Sequence, residues 1–125
     1  MRTQVLLSIK PEFANKIFEG SKKYEFRRAL FKSKSVKRVV VYASSPIQRV
    51  IGEFEIGGII TQKKNKVWGA TKQHSGIEKD YFDEYFEGKD VAHAIKIVNP
   101  RRYDSPLCLS DFNIKTAPQS FVYLD

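Results

Sequence analysis

Apolar and polar residues follow two different periods along the chain, which predicts a mixture of β-strands and short helices. The run TQVLLSIK, from Thr3 to Lys10, is typical of a strand and stops at Pro11. The following PEFANKIFEG places apolar residues at helical spacing and ends at Gly20, a residue type that often follows the last turn of a helix. We therefore expect a strand, a short helix and a glycine turn at the start of the chain.

The next three segments predict strands of different character. KKYEFRR alternates, so that Tyr24 and Phe26 face away from the charged residues around them. VKRVVVYA is a nearly continuous β-branched run, typical of a buried central strand, and the turn SSP ends it. RVIGEFEIGGIITQ is longer, and Gly57 and Gly58 in its middle predict a bulge or a sharp bend.

The segment that follows the long strand has helical character. Ser75 and Gly76 divide it into two helical pieces, and Phe82, Tyr85 and Phe86 form an apolar stripe on the second piece. We expect this segment to be a helical insertion that interrupts the sheet.

The last regular pattern is HAIKIV, which returns to strand alternation. We expect Pro100 to end this strand and a loop-rich tail to follow. The chain then holds five or six strands and three helices, in an order that is not a regular βαβ alternation. This pattern predicts an α+β fold, a small, curved, mostly antiparallel β-barrel or sheet with peripheral helices.

The length and the cysteine content narrow the class of protein. A chain of 125 residues suits one domain, which we expect to span residues 1–125. No apolar stretch approaches the roughly 18 residues of a membrane span, and the N-terminus lacks a signal-peptide pattern. A lone Cys108 cannot form an internal disulfide, so we expect a cytoplasmic protein that does not associate with membranes.

The charge balance favours polyanionic partners. Lysine and arginine total 22 against 14 aspartate and glutamate residues, which gives a net charge of +8. Such a field attracts nucleic acid, which makes RNA or a nucleotide the expected partner class. The alternative is a basic surface that only keeps the domain soluble. The position of the charges must decide between these interpretations.

The densest cluster of charged residues follows the first helix. The pleat of a strand puts Glu25 and Arg27 on one face, and Lys22, at the turn, can lean over the same edge. A cationic rim beside a carboxylate can hold a phosphate and a base. The alternative interpretation is a surface ion pair between Glu25 and Arg27, worth at most about 1 kcal/mol.

The same cluster carries a resemblance to a known family. Gly20, Lys22, Glu25 and Arg27 read G-x-K-x-x-E-x-R, after the helix start L-S-I-K-P-x-x-A. This string resembles the signature of the ASCH domain family, and the likeness continues through YASSP, VIGEFEI and APQSF. The family belongs to the PUA-like superfamily of small β-barrels. The resemblance implies a barrel whose cleft, lined by this motif, binds RNA or a nucleotide-like ligand.

The expected roles in such a cleft differ between the charged residues. Lys22 and Arg27 are expected to contact phosphate or base edges. Glu25 is expected to accept hydrogen bonds from a base or to orient Arg27. Ser44 and Ser45, in the turn after the buried strand, are expected to border the pocket and can donate hydrogen bonds to phosphate, although turn capping is their alternative role.

Aromatic residues add candidates for base stacking. Tyr24, Tyr42 and Trp68 are the residues that we single out, because bases stack on aromatic faces. Packing in the core is the alternative for each of them. His74, His93 and Cys108 do not have metal-ligand spacing, so neither a metal site nor a cofactor is expected.

Two other functions stay open at this stage. The first is a hydrolase of RNA or of a modified nucleoside that uses Lys22 and Glu25 for proton transfer, since the family includes ribonucleases and acetylcytidine amidohydrolases. The amidohydrolases have a threonine at the position of Glu25 and a glutamate near the position of Ser75, so that specific activity is not expected. The second is an adaptor that binds protein in transcription, for which a large exposed apolar patch would be the structural sign.

Overall fold

The strands of the protein form one curled sheet with three α-helices beside it, in a computed structural model that describes residues 2–125. Met1 of the expected domain lies outside the described residues. Two 3₁₀ turns, at Lys72–His74 and Leu109–Phe112, complete the regular structure of this range. In chain order the elements are β1 (Gln4–Ile9), α1 (Pro11–Glu19), β2 (Tyr24–Arg27), β3 (Arg38–Ala43), β4 (Arg49–Lys63), α2 (Lys64–Thr71), α3 (Lys79–Tyr85), β5 (Val91–Leu107) and β6 (Phe121–Tyr123).

The sheet confirms the predicted α+β class and its mostly antiparallel pairing. Its strand order is β2-β5-β4-β3-β1-β6, and β1 with β3 is the one parallel pair recorded among these neighbours. The sheet curls into a half-barrel, with β2 and β6 as its two edges. The candidate functional site lies on the open side of this half-barrel.

Apolar groups cover both faces of the central strands. On β1, Val5 and Leu7 belong to the main core under α1, whereas Leu6 belongs to a cluster that the C-terminal segment covers. A third cluster joins α2 and α3 to the sheet through Phe26, Phe82 and their neighbours. Strands that are buried on both faces lose the alternation of apolar and polar residues, which explains the continuous apolar run in β3.

The predicted bulge at the paired glycines is confirmed. Ile56 pairs with Ile97, and Gly58 pairs with Lys96, so Gly57 is the extra residue on β4. A Cβ on Gly57 would lie 2.7 Å from a methyl carbon of Val98, too close for any other residue type without movement. The bulge bends a long strand, as the curled sheet requires.

The prediction that Pro100 ends the last strand was wrong. β5 continues through Pro100 to Leu107, because a second bulge accommodates the proline. Arg101 pairs with Glu53 and Val98 pairs with Glu55, so that two residues of β5 oppose one of β4 at this point. Proline has no N–H to donate and is tolerated at such bulges. The tail also contains β6, which pairs antiparallel with β1.

Candidate functional site

A cavity of about 440 Å³ lies on the open side of the half-barrel, and we call it the Lys22 cavity. Parts of β1, β2, α1, α3, the turn after β3 and the segment before β6 form its walls. Its charged lining residues are Lys10, Lys22, Glu25 and Arg27. Its aromatic lining residues are Phe13, Phe26, Tyr42, Tyr81 and Tyr85.

Lys22 is the most deeply buried of the charged residues, with 2% of its surface exposed. Its Nζ donates a 2.7 Å hydrogen bond to the Ser75 carbonyl oxygen and lies 4.8 Å and 5.4 Å from the ring centres of Phe26 and Phe13. Burial lowers the pKa of Lys22 from 10.5 to about 8, and the carboxylate of Glu25 opposes part of this shift. The side chain is therefore a cation that can release its proton close to physiological pH.

The turn before α3 shapes the position of Lys22. Gly76 has a φ of 70°, and a Cβ at this residue would lie 2.6 Å from both Cβ and Cγ of Lys22. The Gly76 carbonyl oxygen also accepts a 3.1 Å hydrogen bond from Lys16 Nζ. Glycine at this position thus provides the backbone conformation and the space for the lysine stem.

Glu25 and Arg27 form a buried pair on the neighbouring strand, with 6% and 8% of their surfaces exposed. Arg27 Nη1 lies 3.1 Å from Glu25 Oε2 and 3.3 Å from the Ser8 carbonyl oxygen. Arg27 Nη2 donates a 2.8 Å hydrogen bond to Ser120 Oγ, just before β6. The guanidinium therefore connects β2 with β1 and with the segment that leads to β6, across the open side of the half-barrel.

The other residues singled out in the sequence fall in different places. Tyr42, Ser44 and Ser45 line the Lys22 cavity. The Ser44 backbone N–H donates a 3.0 Å hydrogen bond to the Ile9 carbonyl oxygen, which joins the start of this turn to the end of β1. The lining of the cavity does not include Tyr24, which packs against the cluster around Phe82.

Some residues of the cavity wall had no part in the sequence-based site. Tyr81 and Tyr85, one turn apart on α3, stack with their ring centres 6.3 Å apart, and Lys10 Nζ lies 5.3 Å from the centre of the Tyr81 ring. The predicted stripe of Phe82, Tyr85 and Phe86 does pack together, but Tyr85 is only half-buried and also lines the cavity. The i, i+4 spacing of the tyrosines was the available signal.

The ionisable groups near α3 and β5 have ordinary structural explanations. Burial raises the pKa of Tyr85, and the charge of Arg27 opposes that shift. His93 Nδ1 lies 2.9 Å from Thr61 Oγ1, and the pKa of His93 is lowered by burial and by the charge of Lys89.

Within residues 2–125 no group of three His, Cys, Asp or Glu residues is placed to hold a metal ion. Across the same range no helix has the length and apolar character needed to cross a membrane.

Comparison with known proteins gives relatives for nearly the whole chain. It is 32% identical over 120 residues to the large ribosomal subunit protein uL22 of Ureaplasma parvum, a match that covers 96% of this chain. The chain spans only 39% of the length of that relative. It is 31% identical over 93 residues to an ASCH domain-containing ribonuclease of Zymomonas mobilis, which covers 74% of this chain and 63% of the relative.

Structural comparison agrees with the sequence relationship. The crystal structure of an ASCH protein from Zymomonas mobilis superposes with a TM-score of 0.89 and 28% sequence identity, over 100% of this chain and 90% of that chain. The sequence model of the ASCH domain matches residues 7–101. These residues include the end of β1, all of α1, β2 and β3, and the helical insertion, and the chain belongs to the ASCH domain family.

Proposed function

We propose that the Lys22 cavity binds a nucleotide unit of single-stranded RNA. The observation that carries this proposal is the presence of a buried Lys22, Glu25 and Arg27 at the wall of an open cavity. Burial of charge is costly, so a cluster of buried ionisable groups in a cleft is a candidate functional site. The relative named as a ribonuclease supports RNA as the class of ligand.

The cationic residues are suited to an anionic ligand. With a pKa of about 8, Lys22 is still mostly protonated at pH 7, and Arg27 adds a buried guanidinium. Lys10 adds an exposed positive charge at the cavity wall. Two buried cations and an exposed one against a single carboxylate give the charged lining a positive balance, which favours phosphate.

The remaining lining residues are suited to a base. The half-buried rings of Tyr81 and Tyr85 offer aromatic faces on which a base can stack. Arg27 engages one carboxylate oxygen of Glu25, and the other oxygen can accept a hydrogen bond from a base N–H group. Ser44 and Ser45 would donate hydrogen bonds from the turn after β3.

Titration of a labelled single-stranded RNA tests the proposal. Affinity measured by fluorescence anisotropy should fall steeply with salt, because phosphate contacts release counterions. Arg27→Lys should weaken binding about tenfold, since lysine cannot reproduce the planar fork that reaches Glu25, Ser8 and Ser120.

Arg102→Lys is the matched control, because it makes the same charge-conserving change at an exposed arginine outside the cavity. If both variants lose the same small amount of affinity, binding involves a diffuse basic surface and the site assignment is wrong. Binding that does not respond to salt would contradict the phosphate contacts themselves.

Cleavage of RNA is the second candidate function, and the lowered pKa of Lys22 is the observation that favours it. In such a reaction a ribose 2′-hydroxyl loses its proton and attacks the adjacent phosphorus. The P–O5′ bond breaks, and the departing 5′ oxygen takes a proton. Glu25 would accept the first proton and Lys22 would supply the second.

Product analysis by mass spectrometry separates the two functions. A cleaving protein would give 2′,3′-cyclic phosphate ends, with a rate that falls above about pH 8 as Lys22 loses its proton. Lys22→Met would lower the rate at least about 100-fold, whereas its effect on RNA affinity would be much smaller. Intact RNA after incubation would leave binding as the function. Acetylcytidine in parallel tests the amidohydrolase activity, for which no turnover is expected.

A further inference from the structure

A second cleft lies on the other side of α3, and we call it the Trp68 cleft. Its volume is about 640 Å³, and Lys63, Lys64, Asn65, Trp68, Lys79, Phe82, Asp83 and Asp90 form its walls. α3 contributes to both sites: Tyr81 and Tyr85 line the Lys22 cavity, and Lys79, Phe82 and Asp83 line the Trp68 cleft. One short helix therefore separates the two sites.

The Trp68 cleft combines an aromatic face with free positive charge. Trp68 is half-buried, and its ring packs 5.0 Å from Phe82, which fixes the indole while part of it stays accessible. Lys63 is exposed, and no salt bridge to it is recorded among the described residues. Lys64 is held in place by a hydrogen bond from its Nζ to the Phe86 carbonyl oxygen.

The acidic residues of the cleft do not cancel this character. Asp83 lies 2.8 Å from Lys79 Nζ, so the two charges form an ion pair. Asp90 is exposed and can accept a hydrogen bond from the amino group of a base. A lysine beside an aromatic face is the combination that holds a phosphate and a stacked base of a single strand.

We infer that the Trp68 cleft is a second nucleotide subsite, which holds a further unit of the RNA strand bound in the Lys22 cavity. This inference rests on the proposed function, because it places further nucleotides of the same RNA strand on the other side of α3. A base stacks on Trp68, and Lys63 contacts a neighbouring phosphate. The subsite adds affinity and salt dependence, whereas the buried charges of the Lys22 cavity select the ligand.

The single tryptophan of the chain makes the subsite directly observable. Trp68 is the only tryptophan in the sequence, so its selectively excited fluorescence reports on this cleft alone. An oligoribonucleotide of roughly eight to ten nucleotides, labelled at one end, is titrated into the protein and followed by anisotropy and by Trp68 fluorescence. The subsite predicts that Trp68 is quenched with the same midpoint as the anisotropy change.

Charge reversal at an exposed position tests the phosphate contact without disturbing the core. Lys63→Glu should weaken binding about tenfold at low salt and reduce the salt slope by about one. Lys34→Glu, which makes the same charge change outside both sites, should have a clearly smaller effect.

The outcomes separate this inference from the proposed function. RNA binding seen by anisotropy without quenching of Trp68, or with equal effects of Lys63→Glu and Lys34→Glu, overturns the subsite and leaves the Lys22 cavity in place. Equal quenching by an acidic peptide also overturns it, because charge alone would then explain occupancy of the cleft. The absence of any anisotropy change overturns both the proposed function and the subsite.

Discussion

The Lys22 cavity and the Trp68 cleft both present cations to a ligand, but they hold those cations in different environments. Lys22 and Arg27 are 2% and 8% exposed, and each is fixed by hydrogen bonds within the protein. In the Trp68 cleft, Lys63 and Lys79 are exposed. Lys79 has a surface ion pair with Asp83. The fold thus desolvates the first set of charges and leaves the second set in water.

This difference has consequences for chemistry. Desolvation lowers the pKa of Lys22, so the cavity contains a group that can exchange protons near neutral pH. Exposed lysines act mainly through long-range attraction, which salt screens. In the proposed function, the buried site would therefore provide selective contacts or proton transfer, and the exposed cleft would provide general affinity for a strand.

The largest effect is expected at the turn that packs against Lys22. Gly76→Ala should lower the free energy of unfolding by about 2–4 kcal/mol, because alanine is disfavoured at the positive φ of this residue and its Cβ would collide with the stem of Lys22. Chemical denaturation measures the change. Gly88→Ala is the matched control, since Gly88 has a φ of 82° but nothing within 4 Å of its added Cβ. Equal losses in the two variants would show that contact with Lys22 does not matter.

The second effect concerns the cost of the buried charge. The pKa of Lys22 is lower in the folded state, so its protonation opposes folding at pH 7, and this cost is lost as pH rises from about 8 towards 10.5. The free energy of unfolding of the native protein, minus that of Lys22→Met, should therefore rise by about 2 kcal/mol between pH 7 and about pH 9.5.

Denaturation of both proteins at the two pH values measures this difference. Using Lys22→Met as the reference removes the contributions of tyrosines that titrate in both proteins. Lys63→Met, measured at the same two pH values, is the control for removal of a lysine at an exposed position. A pH-independent difference for Lys22→Met would mean that the Lys22 amine is solvated in the folded protein.

The sequence predicted the local elements well, because their periodicity and their turn residues are local signals. It predicted the first helix from its apolar spacing and the bulge in β4 from Gly57 and Gly58. It failed at Pro100, where the strand continues because two residues of β5, Asn99 and Pro100, oppose one residue of β4. A proline is compatible with a strand only where the pairing has such a bulge, and the pairing register is a long-range property that the local pattern of β5 does not encode.

The candidate site likewise contains some residues that local patterns predicted and others that only long-range packing brings there. The pleat of β2 was enough to group Glu25 with Arg27, and the turn before it brought Lys22 to the same side. Tyr81 and Tyr85 were missed because their place in the cavity depends on how α3 packs, with Phe82 and Phe86 in the core. Ser120 contacts Arg27 only because β6 pairs with β1, a long-range event that a local pattern does not encode.

The smallest predicted effect uses the ion pair of the Trp68 cleft. Lys79 and Asp83 are four residues apart on α3 and more than half exposed, so loss of this pair in Asp83→Asn should change stability by at most about 0.5 kcal/mol. The substitution removes a negative charge from the wall of the cleft and frees Lys79 for a phosphate. RNA affinity should therefore rise about twofold at low salt and return to the native value at high salt.

Glu84→Gln controls for the change in net charge, because Glu84 is on the same helix and lines neither site. If the two variants increase affinity equally, net charge explains the gain; a larger gain for Asp83→Asn means that RNA reaches the cleft beside Trp68.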